Sequence, residues 1–99
     1  MTQADLLTML ERDLEIVTTY MDADAVAEIE QQLVVYLNAA AEFIAREGIT
    51  LDTENQTGDA LLLVMYAAWL YEKRKTNEPM PRMLRWNLNN RLFSEKVTE

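Results

Sequence analysis

The chain has 99 residues, 49% of them hydrophobic, with no Cys, no His and a formal charge of −8. That length suits one domain, spanning 1–99, and that hydrophobic share excludes a disordered chain. Without Cys or His there are no disulfides, thiolate nucleophiles, imidazole bases or imidazole metal ligands.

Two Gly and two Pro interrupt a sequence rich in helix formers, and period-two alternation is absent. The expected class is all-α: a small bundle of about four helices, with long second and third helices packed antiparallel. Thr2 and Asp5 predict an N-cap for a short first helix with Leu6, Leu7 and Leu10 on one face. The opening MTQADLLTMLERD has no basic region followed by an apolar core, so it does not read as a signal peptide. Ile16 to Tyr20 are β-branched and aromatic, which places a break near Thr18–Asp22.

Asp22 or Asp24 then caps a second helix that runs to Glu47 and stops at Gly48. As a metal site, Asp22-Ala23-Asp24 is weaker than as a cap. Val26, Ile29, Leu33, Leu37, Ala40 and Ile44 step by three and four along this helix, a stripe for the core. Residues 49–58 form a polar loop whose Ile-Thr-Leu start suits an extended piece. Asp52, Glu54 and Gln56 alternate as in a calcium loop, but the required Gly and the final acid are missing. Asn55-Gln56-Thr57 is a coincidental sequon.

The third helix, capped by Thr57 or Asp59 and ending at Thr76–Asn77, is the most apolar segment. Twelve apolar residues from Ala60 to Tyr71 fill all its faces, including Leu62 and Met65. A membrane span takes about 20, so no membrane is expected. Such a helix needs cover on every side, from the subunit and from neighbouring copies. Lys73, Arg74 and Lys75 follow where cations oppose the helix dipole. Pro79-Met80-Pro81 breaks the chain, and Pro81 opens a fourth helix with Leu84, Leu88 and Leu92, flanked by Met83, Trp86 and Phe93. The tail from Ser94 is expected to fray. The predicted core is Ile29, Leu33, Leu37, Ile44, Leu62, Met65, Leu84 and Leu88.

Charge divides the chain in two. Residues 1–59 hold thirteen acids against Arg12 and Arg46, whereas residues 60–99 hold seven bases and four acids. The acidic total opposes duplex binding, which needs a basic footprint. A basic end and an acidic end suit contact between copies. Carboxylates are plentiful but lie on predicted polar faces, and no Gly-rich phosphate loop is present. No enzyme activity, cofactor, metal or small-molecule substrate is expected.

The second half carries a pattern. Ala67-Ala68-Trp69-Leu70-Tyr71-Glu72-Lys73-Arg74 leads to Pro79-Met80-Pro81, then to a last helix with Leu84 and Asn90-Arg91. This resembles the small head–tail connector (DNA-packaging) proteins of long-tailed phages. The leucine-rich first helix and acidic second helix are similar to that family's first half. The common Leu-Leu and Tyr-Arg ending is replaced by Met83-Leu84 and Asn90-Arg91-Leu92-Phe93. The resemblance implies an adaptor ring under the portal, joining head to tail-completion proteins, with DNA passing through unbound by sequence. It implies a place in the virion, in host cytoplasm during assembly, and possible origin in a prophage. Trp69, Tyr71, Lys73, Arg74, Lys75, Arg82, Arg85 and Arg91 are the residues expected between subunits. The competing reading is a small acidic regulator of a basic partner, acting as a DNA mimic or inhibitor. Ring assembly separates the two.

Overall fold

In the computed structural model, residues 2–16 and 21–98 are described. They form four helices: α1 (Gln3–Asp13), α2 (Ala23–Arg46), α3 (Thr57–Thr76) and α4 (Arg82–Thr98). There is no strand among them, so the Ile-Thr-Leu segment pairs with no other extended segment; Ile49 instead buries its side chain in the core.

Helix boundaries follow local chemistry. Thr2 and Asp5 form a reciprocal capping box: the Asp5 amide donates to Thr2 Oγ1 at 3.2 Å and the Thr2 amide to Asp5 Oδ2 at 3.1 Å. The first helix ends at Asp13, with Leu14 as its C-cap. Glu15 takes a left-handed conformation (φ +57°). The amides of Glu15 and Ile16 then donate back to the carbonyls of Arg12 and Glu11. The expected break near Thr18–Asp22 falls largely on residues 17–20, outside the described residues. Asp22 caps α2 by accepting from the Ala25 amide at 2.8 Å, and Gly48 supplies the positive φ (+94°) past its end.

Two expectations are corrected. Neither Thr57 nor Asp59 caps α3; Gln56 holds that position without a side-chain bond, and Asp59 is turned into the protein. Residues 94–98 are helical rather than frayed; Glu99 lies outside the described residues. Glu95 reaches across to accept from the Thr50 amide at 2.6 Å, which fastens that end of α4 to the loop before α3.

The two long helices run antiparallel. Tyr36, midway along α2, meets Tyr71 near the end of α3 edge-on at 5.5 Å, while the later Phe43 stacks at 6.2 Å on the earlier Tyr66. Helix α1 lies against both, and α4 packs on α3. Of the predicted core, Leu33, Leu37, Ile44, Leu62, Leu84 and Leu88 are buried; Ile29 and Met65 are half-buried against the same cluster. Each fully buried leucine contributes about 2 kcal/mol of transfer free energy. The subunit covers α3 by itself: Ala60, Leu62, Leu63, Val64, Tyr66, Ala67, Ala68 and Leu70 are all buried, and Leu61 alone of the large apolar side chains in α3 is exposed.

Candidate functional site

The basic side chains expected between subunits divide into committed and available groups. Arg91 is committed inside the molecule. Its Nε donates to Asp59 Oδ1 at 2.7 Å and its Nη2 to Asp59 Oδ2 at 3.2 Å and to the Thr50 carbonyl at 2.8 Å. The Asp52 amide also donates to Asp59 at 2.9 Å. Burial alone would raise the Asp59 carboxyl; the Arg91 bonds, the Asp52 amide and the Arg91 charge outweigh it and hold the pKa below the ordinary range. Arg85 is likewise occupied, meeting Glu47 Oε1 at 2.6 Å. Together with Glu95, these pairs lace α4 to the segment from Glu47 to Asp59.

The basic turn of α3 is partly folded onto its own aromatics. The Lys73 ammonium lies 4.5 Å from the centre of the Trp69 ring, and the Arg74 guanidinium 3.6 Å from that of Tyr71. Trp69 is half-buried, packs edge-on against Tyr66 and donates to the Glu78 carbonyl at 3.3 Å. Tyr71 is half-buried against Tyr36; Lys75 and Arg82 are exposed.

The loop acids hold the loop together. Asp52 accepts from the backbone and side-chain nitrogens of Asn55. A concavity of 710 Å³ beside it is bordered by Asp59 and Arg91, already bonded to each other. No group of three metal-binding side chains occurs among the described residues. No helix is long and apolar enough to cross a membrane.

The surface of α4 presents a different arrangement. Met83, Trp86, Phe93 and Val97 are 63%, 59%, 69% and 66% exposed. At 100° per residue they fall within an arc of about 80°, nearly opposite Leu84, Leu88 and Leu92. With Asn90 they step by three, four, three and four, the spacing of a helix–helix seam. Arg82 and Lys96 lie along one edge and have no partner among the described residues. The fourth helix is therefore apolar on two opposite faces, one packed on α3 and one open.

A second open feature lies between α1 and α2. Leu7, Ala27, Glu30, Gln31 and Val34 line a groove of 390 Å³. Glu11, one turn beyond Leu7, buries its Oε1 without a hydrogen-bond donor. Burial and then the charge of Glu30 raise the Glu11 pKa. The groove is thus an apolar floor with Glu30 on its wall, and Glu11 lies close enough to be disfavoured by that charge.

Both open surfaces have a signal in the sequence. The 83/86/90/93/97 spacing was visible beside the leucines, and Glu11 sits on an otherwise leucine-rich helix. No protein-family model, no curated protein and no solved structure matches the chain.

Proposed function

We propose that this protein is a structural adaptor that assembles into a ring and joins the head of a long-tailed phage to its tail. The observation that carries this reading is the open apolar face of α4. Four large side chains in seam spacing on a folded subunit favour burial against another protein, and the partner is a further copy of the chain. Repetition of one such contact between two different surfaces closes into a ring when its rotation permits. The charge of −8 suits a ring around DNA: carboxylates near the opening repel phosphates and let the duplex slide. The resemblance of Ala67–Arg74 and Pro79–Pro81 to head–tail connectors supplies the setting: portal on one side, tail-completion proteins on the other. Nothing in this role requires catalysis or a cofactor.

A second reading is favoured by the outer face of α2. Asp24 and Glu28 are exposed one turn apart and lack cationic partners among the described residues. An acidic ridge of this kind suits a regulator that occupies the nucleic-acid site of a basic protein. Electron microscopy of concentrated protein, with light scattering and binding to portal-bearing heads, tests the pair. Rings, or decoration of heads, support the adaptor. Failure to bind heads, together with competition against DNA for a basic target, supports the regulator instead.

A further inference from the structure

The open face of α4 needs an occupant, and the chain contains a surface that complements it. The stripe of Met83, Trp86, Phe93 and Val97 is apolar with a basic edge, Arg82 and Lys96. The groove between α1 and α2 is apolar with an acidic wall, Glu30. The two lie on different parts of one subunit, so they cannot satisfy each other within it. The geometry points to a head-to-tail contact in which α4 of one copy seats in the α1–α2 groove of the next, bringing the Arg82/Lys96 edge to the Glu30 wall. This rests on the self-assembling reading above and names the two surfaces that it requires.

Charge decides against the simplest alternative, in which α4 pairs with α4 of a second copy. That would set Arg82, Lys96 and their counterparts along one seam with no acid to offset them; Glu95, the only described acid on α4, is turned to Thr50 and Arg91. Like charges across a contact are repulsive and serve to reject it. In the groove the same cations meet Glu30. The side chains at the centre, Trp86 above all, are of the type that anchors protein contacts.

The test uses two variants of the full chain, each blocking one surface at an exposed position. Trp86→Asp spoils the stripe and Ala27→Arg fills the groove. Circular dichroism confirms that each folds, and sedimentation velocity reads assembly. The native chain is expected to form concentration-dependent oligomers, and each variant alone to remain monomeric. Mixed in equal amounts, the variants should form a dimer that grows no further, because each retains one working face. Glu30→Gln should weaken native association by about tenfold, the scale of one partly desolvated charge pair. The same change should raise the thermal midpoint of the isolated subunit, because it removes the charge that opposes Glu11, an effect opposite to that of a merely structural acid.

Three outcomes overturn the contact: a native chain that is monomeric at every concentration, an Ala27→Arg variant that assembles like the native one, or a mixture that stays monomeric. The ring reading fails separately. Closed rings built from Trp86→Asp protein would remove this contact and leave the ring. A dimer from the mixture, with native protein forming only open filaments that ignore heads, would do the reverse.

Discussion

Helices α3 and α4 both carry apolar side chains on more than one face, yet this has opposite consequences in the two. In α3 the apolar side chains point in every direction and the subunit covers nearly all of them, with α1, α2 and α4 ranged around it. In α4 they point in two directions, and only the Leu84–Leu88 side is covered. A long apolar run marks the hub of a fold. A doubled stripe marks a helix with one face for its own subunit and another left over.

The sharpest way to break this comparison is to truncate each face of α4. Leu88→Ala should cost about 3 kcal/mol in urea unfolding, since it removes a side chain that is 1% exposed and leaves a cavity. Trp86→Ala should change the stability of the isolated subunit by less than about 0.5 kcal/mol, as exposed substitutions do. Equal losses would mean that the outer stripe is covered after all.

The polar ties of α4 should divide in the same way. Arg91→Ala strands the Asp59 carboxylate, whose side chain is 5% exposed, and should cost about 2–3 kcal/mol, below the range for a fully buried pair because Arg91 keeps 25% exposure. Arg85→Ala, which breaks a more exposed pair with Glu47, should cost about 0.5 kcal/mol. Similar costs for both would show that burial of Asp59 does not set the difference.

A smaller effect comes with pH. The folded Asp59 pKa is depressed, so its contribution is complete above the unfolded value of about 3.9 and disappears as pH falls through the folded value. Acid unfolding curves should therefore lose a component below about pH 4 that Arg91→Ala already lacks. Glu11 acts in the other direction: its pKa is raised, so its ionised form penalises the fold at neutral pH and the penalty is relieved on acidification. A Glu11→Gln subunit should show a flatter gain between neutral pH and pH 5 than the native one.

The smallest change concerns the exit of α1. Glu15 sits at φ +57°, where a Cβ is strained, so Glu15→Gly should add about 0.5–1 kcal/mol to the unfolding free energy.

Much of the fold could be read from the sequence because helix ends are local events. Thr2 with Asp5, Asp22, Gly48 and the Pro79–Pro81 break each act within a few residues, and each lies where expected. The stripe of α2 is equally local. The end of α1 was less visible, because a left-handed Glu15 does the work that a glycine would advertise. The fate of Asp59 was hidden for another reason. An acid in the first turn of a helix looks like a dipole partner, and its true partner, Arg91, lies 32 residues away. Helix α4 was legible on one side only. Leu84 and Leu88 were expected in the core and are buried there, but the second stripe gives no local sign that it stays uncovered. The basic residues could be seen as a group, but not their division into those that lace the subunit and those left at its surface.

The lacing of α4 has a consequence for motion. Its links to the body, Glu47–Arg85, Thr50 with Arg91 and Glu95, and Asp59–Arg91, join segments 32 to 45 residues apart. Such links are made or lost together, so α4 should open as a cooperative unit while the α2–α3 hairpin persists. In amide hydrogen exchange its protection would then fall below that of α3. That protection would rise in any state where the outer stripe is clamped by a neighbour, making the exchange rate of one helix a direct reporter of whether a subunit stands alone.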